Sequence, residues 1–322
     1  MSRSSYLNYD DSDAYDQFGT PHENRQEHRK KKRGEIHRPK KSSADVIAAL
    51  SDDGTDATSR PLTYQPSRFE AAWLMESLQP FFDRGLITDI LALVRGGKEA
   101  SVYVCQAHPV TGVSLLAAKV YRPRMFRQMR NDSVYREGRE ILTDSGKVVK
   151  KTDHRVMRAI GKKSGFGIEV AHTSWLMYEY TTLQALHHAG LDVPKPYSAA
   201  TNAMLMTYVG ELHRPAPTLS LIALEPDEAQ ALFYQVIANI EGMLARGVIH
   251  GDLSAYNILY WDGTLTVIDF PQIVRPQANH NSWTIFQRDI MRVCEYFNDQ
   301  GVSTDPEALA TRLWKTYVPD EE

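Results

Sequence analysis

The distribution of apolar positions first divides the chain into a polar N-terminal stretch and a patterned remainder. Residues 1–66 show no sustained apolar period and are rich in Ser, Asp, Pro and charged side chains. A segment with so few apolar groups cannot offset the entropy lost on ordering. We therefore expect residues 1–66 to form a disordered, charged tail, in which "ADVIAAL" at 44–50 is the one candidate for a short docking helix.

The first half of the remainder has the pattern of a helical segment followed by strands. "FEAAWLMESLQPFFDRG" predicts short helices that end at Gly85. Strands are then predicted for "LITDILALV", "ASVYVCQA" and "SLLAAKVY", with "RGGKE" as the turn of the first hairpin, and two shorter strands around "KPYSA" and "AMLMTYV".

The second half has the period of helices. Helices are predicted at 174–190, 226–247, 283–299 and 305–317. In the second of these, Leu232, Val236, Ile240 and Met243 share one face. Residues 122–163 show neither period and are expected to form a loop-like insert. A strand-rich half followed by a helix-rich half predicts an α+β protein of two lobes with a cleft between them.

Composition changes this picture little, but the charge is uneven. Two distant cysteines and the lack of an apolar run of about 18 residues argue against a disulfide framework, a paired-cysteine zinc site and a membrane span. We expect a soluble, cytoplasmic protein without a membrane partner. Residues 25–41 carry nine Lys/Arg against two Glu, and residues 122–163 carry thirteen against five acidic residues. Both segments fit either a solvated charge run or contact with RNA.

The candidate chemistry centres on "HGDLSAYNILY" at 250–260 and the strand "LTVID" that follows it. Asp252 can accept a proton from an attacking hydroxyl, while Asn257 and Asp269 offer oxygen ligands to a metal ion. Any one of these residues is most often a turn or cap residue. The ordered set, however, is typical of phosphoryl transfer from ATP.

Two further charged residues, Lys119 and Glu179, are more informative together than alone. Lys119 alternates with apolar residues along a strand, and Glu179 interrupts the apolar stripe of a helix. Taken alone, the lysine fits an exposed charge on an edge strand, and the glutamate fits the solvent-exposed border of the apolar stripe. A strand Lys with a helix Glu about sixty residues later is also the pair that holds nucleotide phosphates in protein kinases.

The turn "RGGKEASVY" is weaker evidence, because two glycines in a hairpin are ordinary turn chemistry. It lacks the G-x-G-x-x-G pattern. Its backbone amides could still contact phosphate, together with four residues of the turn, Gly96, Gly97, Lys98 and Ser101.

Taken together, the chain resembles the RIO family of atypical protein kinases. The stretches that carry the resemblance are "GLITDILALVRGGKEASVYVC", "AAKVY", "WLMYEYTTL", "MTYVG", "HGDLSAYNILYWDG" and "VIDFPQIV". The resemblance implies a bilobal protein-kinase-like fold. Its N-lobe, 67–209, would hold an antiparallel sheet, one helix and a flexible basic insert at 122–170. Its helical C-lobe, 210–322, would lack a long activation segment.

The same resemblance implies roles for individual residues. Lys119 would bind phosphate with Glu179 as its partner, Asp252 would be the catalytic aspartate, and Asn257 and Asp269 would be metal ligands. Asp269 would also accept a transient phosphate. The hinge 206–209 would face adenine through Met206, Tyr208 and Val209. Ser254 stands where ordinary protein kinases carry a lysine, and a serine at this position agrees with the family.

The implied cofactors are ATP and Mg²⁺, with Mn²⁺ as an alternative metal. The implied activity is serine/threonine kinase or ATPase turnover with autophosphorylation, on a protein substrate or on the chain itself, in ribosome or RNA–protein particle maturation. Two alternatives stay open. One is a small-molecule phosphotransferase of the aminoglycoside and choline kinase type, although the Gly-Lys-Glu-Ala turn, Asp-Phe-Pro-Gln and the short C-terminal region weigh against it. The other is an RNA- or ribosome-binding factor that uses ATP as a structural switch.

Overall fold

The computed structural model describes residues 62–97, 99–122, 135, 137–150 and 152–318. The predictions for the tail up to residue 61, for the basic segment 25–41, for Lys98 and for much of the basic insert therefore lie outside the described residues.

A five-stranded antiparallel sheet forms the first lobe, in the order β1-β2-β3-β5-β4. Its strands lie where the alternating pattern predicted them, within one or two residues, and they are β1 Ile87–Gly96, β2 Ala100–Ala107, β3 Leu115–Tyr121, β4 Pro196–Ala199 and β5 Ala203–Thr207. The register pairs Val102 with Lys119 and Lys119 with Met204, so these three side chains share one face of the sheet.

Helix α1, Arg68–Asp83, covers the opposite face of the sheet. It begins at a capping box, in which Ser67 and Glu70 satisfy each other's backbone amides. Leu74, Leu78 and Phe81 are fully buried against strand residues that include Tyr103. Gly85 ends the segment with a φ of +64°, a conformation that favours glycine.

The insert and the helix after it differ from the prediction. Helix α2, His154–Gly161, lies inside the segment predicted as a loop, and helix α3, Gly165–His188, begins nine residues before the predicted 174. Gly167 lets the two helices meet, because a Cβ there would lie 2.0 Å from the carbonyl oxygen of Ala159. Val156, Met157 and Ile160 have the spacing of one helix face, a short signal that the many basic residues around it obscured. The resemblance implied one helix in the first lobe, whereas the structure has α1, α2 and α3 there.

The second lobe is mainly helical, and the α+β prediction is confirmed. It contains α4 Pro226–Leu244, α5 Ser282–Asp299, α6 Pro306–Tyr317 and the hairpin of β8 Ile258–Trp261 with β9 Thr264–Val267, preceded by the two-residue strands β6 Gly210–Glu211 and β7 Arg214–Pro215. The predicted apolar face of α4 is buried. Phe233 of α4 packs edge-on against Phe297 of α5 at 5.3 Å. None of the helices in the described part of the chain is long and apolar enough to cross a bilayer.

Candidate active site

Three predicted site residues from distant parts of the chain meet at one ammonium group. Lys119 Nζ lies 2.6 Å from Glu179 Oε1 on α3 and 2.5 Å from Asp269 Oδ1, just after β9. The lysine and Glu179 are almost completely buried, whereas the side chain of Asp269 is 43% exposed. The predicted Lys119–Glu179 pair is therefore present in the structure, and Asp269 is a second partner of the lysine.

A fourth residue of this network, Tyr121, was missed by the sequence analysis as a polar contact. Its hydroxyl donates to Glu179 Oε2, so both carboxylate oxygens of the glutamate have partners. The Tyr121 ring also packs edge-on against Trp175 of α3 at 4.7 Å. The signal was its position two residues after Lys119, which places both side chains on one face of β3.

The charges of this network shift one another's pKa values. Burial alone would lower the pKa of Lys119, but Asp269 and Glu179 outweigh it and raise that pKa well above the ordinary value. Desolvation of Asp269 acts to raise its pKa, yet the Lys119 ammonium prevails and lowers it. Lysine and aspartate are therefore both charged near neutral pH, as phosphate and metal binding require.

Asp252 and Asn257 lie in the loop between α4 and β8. The side-chain amide of Asn257 donates to the carbonyl of Asp252 at 2.8 Å, with its nitrogen 3.4 Å from Asp252 Oδ2. The other oxygen, Oδ1, lies 2.8 Å from Arg292 Nη1. Arg292 belongs to α5 and was not among the predicted site residues.

His250 joins this loop to the segment of Asp269. Its Nε2 lies 3.0 Å from the carbonyl of Ile268, and its Nδ1 lies 3.3 Å from the amide nitrogen of Asp252. A neutral ring that donates through Nε2 and accepts through Nδ1 satisfies both contacts. Burial lowers the pKa of His250, which favours this neutral form. The histidine thus holds the two aspartate segments side by side.

Two side chains of helix α5 hold the same loop through hydrogen bonds to its backbone. Asp289 Oδ2 accepts from the Gly251 amide at 2.8 Å, and Arg288 donates to the Gly251 carbonyl. Gly251 has a φ of +83°, and a Cβ there would lie 2.2 Å from the carbonyl oxygen of Gln272. Only glycine fits at this close approach, which explains the Gly of His-Gly-Asp.

The donor set at Asn257 and Asp269 suits a hard cation. Asn257 uses its NH₂ group toward Asp252, which leaves its amide oxygen as the ligand atom. Asp269 uses Oδ1 toward Lys119, and its second carboxylate oxygen adds a ligand of the kind that Mg²⁺ prefers. Asp269 also adopts a φ of +70°, a left-handed conformation that is unusual for a residue other than glycine. Among the described residues no cluster of three or more His, Cys, Asp or Glu side chains forms a metal site.

The predicted phosphate turn lies in the hairpin between β1 and β2. Gly97 closes the hairpin through its amide, which donates to the Ala100 carbonyl at 2.9 Å. Ser101 pairs with Val120 and not with Lys119, so its side chain lies on the face that α1 covers and is only 3% exposed. Register and not proximity in sequence decides which face a strand residue occupies, so the Ser101 side chain faces α1. Contact of the turn and Ser101 with phosphate stays a prediction.

The hinge prediction falls at the end of β5. Met206 pairs with Ala117, on the Lys119 face of the sheet, and the strand ends at Thr207. The Tyr208 hydroxyl donates to the Glu211 carbonyl at 3.1 Å, and the Val209 carbonyl accepts from Ala216 at 3.1 Å. Adenine contact by residues 206–209 stays a prediction.

Comparisons with known proteins identify the family. A family model for the RIO domain matches residues 134–309. The chain is 34% identical over 142 residues to the RIO-type serine/threonine-protein kinase Rio1 of Thermoplasma acidophilum, which covers 44% of this chain and 73% of that protein. It is 31% identical to Rio1 of Haloferax volcanii, over 66% of this chain and 64% of that protein. Against human RIO1 it is 28% identical, and the match spans only 35% of that protein.

A solved structure supports the fold independently. The Rio2 kinase–ADP/Mg²⁺–phosphoaspartate complex from Chaetomium thermophilum superimposes with a TM-score of 0.52 at 21% identity, over 77% of this chain and 67% of that one. At this identity the likeness concerns the fold. Since the RIO model matches more than half of the residues, the chain belongs to the RIO family and has its protein-kinase-like fold.

Proposed function

We propose that this protein is an ATP- and Mg²⁺-dependent serine/threonine protein kinase or ATPase of the RIO type. The observation that carries the proposal is the joining of two aspartate segments by His250, with Lys119 between Glu179 and Asp269. The relatives that are named serine/threonine-protein kinases support the same reaction class.

The proposal gives each residue a role that its contacts support. Lys119, held by Glu179, binds the nucleotide phosphates, and Asp252 accepts the proton of the attacking hydroxyl. Asn257 and Asp269 hold the metal. When bound, Mg²⁺ neutralises charge on the phosphate oxygens. The Rio2 complex from Chaetomium thermophilum contains a phosphoaspartate, and the exposed carboxylate of Asp269 is our candidate for the same modification in this chain.

The partner that we propose besides ATP is a protein substrate, or the chain itself, within an RNA–protein particle of ribosome maturation. The described part of the basic insert supports the electrostatic side of this proposal. Six of its basic side chains are exposed, namely Lys147, Lys150, Arg155, Arg158, Lys162 and Lys163. Such a charge run favours a nucleic-acid backbone and predicts binding that weakens with salt.

The test is incubation of the purified protein with γ-labelled ATP and Mg²⁺, followed by separation of labelled protein, free phosphate and labelled small molecules. We expect Asp252→Ala to lower turnover by roughly 10²–10⁴-fold, the usual contribution of a positioned base, while ATP binding is retained. Asp83→Ala, an exposed aspartate at the end of α1, is the matched control.

The products separate the remaining alternatives. Label on protein supports a kinase, free phosphate alone supports an ATPase cycle, and label transferred to an added amino alcohol or aminoglycoside would support the small-molecule phosphotransferase instead. Equal turnover in Asp252→Ala and the unmodified protein would contradict the proposal for this loop.

A further inference from the structure

The short stretch from Asp252 to Asn257 contains no basic side chain. Between Asp252 and Asn257 the chain reads Leu, Ser, Ala and Tyr, so position 254, where ordinary protein kinases carry a lysine, is a serine. A carboxylate that works beside the phosphates of ATP faces charge repulsion unless a cation lies nearby. In this structure a cation does lie there, but it comes from another element.

That cation is Arg292 of α5. Its Nη1 lies 2.8 Å from Asp252 Oδ1, and the two side chains are only 24% and 30% exposed. A partly buried pair at this distance is screened less by solvent than a pair on the open surface. The guanidinium therefore has a defined position against one oxygen of the catalytic carboxylate.

Arg292 belongs to a face of α5 whose side chains bond to consecutive residues of the loop. Arg288, Asp289 and Arg292 occupy positions i, i+1 and i+4, which place them on one side of the helix. The first two hold the carbonyl and the amide of Gly251, and the third reaches the next side chain, Asp252. The two bonds to the Gly251 backbone hold the loop in place, and the bond from Arg292 fixes the orientation of the Asp252 carboxylate.

We propose that Arg292 is a positioning residue for Asp252, an inference that rests on the function proposed above. By holding Oδ1, it keeps the carboxylate from rotating toward the amide of Asn257, whose nitrogen lies 3.4 Å from Oδ2. It also offsets the negative charge of Asp252 next to the nucleotide. Arg292 takes no part in proton transfer itself, and it acts only through the aspartate.

The first test compares Arg292→Ala, Arg292→Gln and Arg292→Lys in steady-state kinetics with Mg²⁺ and ATP. Because a small misplacement of a catalytic group can cost about 10²-fold, we expect kcat to fall roughly 10- to 100-fold in the Ala and Gln variants. We expect the KM for ATP to rise by no more than about 3-fold, because the loss of this positive charge weakens ATP binding less than a misplaced carboxylate slows the chemical step. Arg292→Lys should recover part of kcat. Arg312→Ala, which breaks an ion pair with Glu241 at 3.7 Å elsewhere on the helical lobe, is the control and should leave both constants unchanged.

The second test repeats Arg292→Gln in an Asp252→Asn background, because a residue that acts only through Asp252 loses its effect once the carboxylate is gone. We expect less than about a 2-fold further loss there. An equal fold-loss in both backgrounds, an unchanged kcat in the single variants, or no recovery with lysine would overturn the inference. Full activity of Asp252→Asn itself would instead contradict the proposed function. Melting temperature and ADP affinity, measured on every variant, separate these outcomes from misfolding, which Arg292→Lys is the least prone to cause.

Discussion

At the scale of single residues, Lys119 shows what a buried charge requires. Taking an ammonium out of water costs several kcal/mol, and only well-placed opposite charges offset that cost. Lys119 has two, Glu179 and Asp269, and the glutamate is itself completed by the Tyr121 hydroxyl. Removing Lys119 therefore leaves the buried Glu179 carboxylate without a cation, whereas removing Glu179 leaves the lysine with Asp269 alone.

We expect a double-mutant cycle of Lys119→Met and Glu179→Gln to show coupling in both the free energy of unfolding and the ATP affinity. The coupling energy in stability should exceed about 1 kcal/mol, the upper end for exposed pairs. The pair of Arg312 and Glu241 is the matched control, because its arginine side chain is 60% exposed. Coupling no larger than in that control pair would reject a structural role for the buried contact.

Asp289 gives a prediction for pH. Burial raises its pKa to about 7, against the partial compensation of Arg288. Between pH 4 and 7 the folded state therefore holds a proton that the unfolded state has lost, so this group contributes stability that decreases as pH rises through the window.

Asp289→Asn keeps an acceptor for the Gly251 amide and removes the titration. The difference in unfolding free energy between the natural chain and this variant should fall from pH 5 to pH 8. Urea titrations at several pH values measure it, and the opposite pH dependence expected from the lowered pKa of His250 cancels in the difference. A difference that is flat with pH would show that Asp289 does not titrate in this range.

The site residues that could be predicted are those whose type and spacing carry chemistry, such as Lys119, Asp252 and Asp269. Glu179 could be predicted because a carboxylate interrupts an apolar stripe. Arg292 could not, since its contact with Asp252 spans 40 positions and depends on how α5 meets the loop. The face that Ser101 occupies could not be predicted for a related reason, because it follows from strand register.

At the scale of elements, the described end of the basic insert does more than connect β3 to α3. Arg139 Nη2 donates to the carbonyls of Pro271 and Ile273 at 2.8 and 2.7 Å, and its guanidinium lies 5.1 Å from the centre of the Tyr178 ring. Leu142 is buried, and its amide donates to Ser174 Oγ of α3. Residues 139–142 therefore tie the segment after Asp269 to the helix that carries Glu179. No local pattern indicated this tie, because the contacts reach 132 and 134 positions along the chain.

We expect Arg139→Ala to destabilise this tie, since hydrogen bonds from a charged donor contribute about 1.5–3 kcal/mol. Amide exchange should accelerate at Ile249 and Val274, which bond to each other beside this segment. Arg155→Ala is the matched control. Arg155 also stacks over an aromatic ring, that of Phe166 at 5.5 Å, but it lies on the exposed surface of α2. Equal exchange rates in the two variants would contradict the tie.

At the scale of the whole molecule, the sheet separates two hydrophobic cores. The α1 face belongs to one core, and Tyr121 and Met204 on the other face belong to the core that continues into the helical lobe. Lys119 lies on this second face and reaches Asp269 of the helical lobe. The two-lobe arrangement could be predicted from the order of strand and helix periods, whereas the close contact across the cleft could not, because it depends on pairing between residues 150 positions apart.

Ligand linkage across this cleft gives a prediction for the folded chain as a whole. A nucleotide that binds only the folded state at 100 times its Kd stabilises that state by about 2.7 kcal/mol, so ADP with Mg²⁺ should raise the melting temperature. Asp269→Asn and Asn257→Ala should lose most of the part of this shift that depends on Mg²⁺ and keep the part seen with ADP and EDTA.

Asp262→Asn is the matched control for the first variant. The backbone of Asp262 is also in the left-handed region, with a φ of 49° against 70° for Asp269, and this residue lies in the exposed turn between β8 and β9. Asparagine tolerates this conformation, so a smaller shift in Asp269→Asn alone reports the lost carboxylate and not backbone strain. Equal losses with and without Mg²⁺ would assign both residues to nucleotide contact and leave the metal to other ligands.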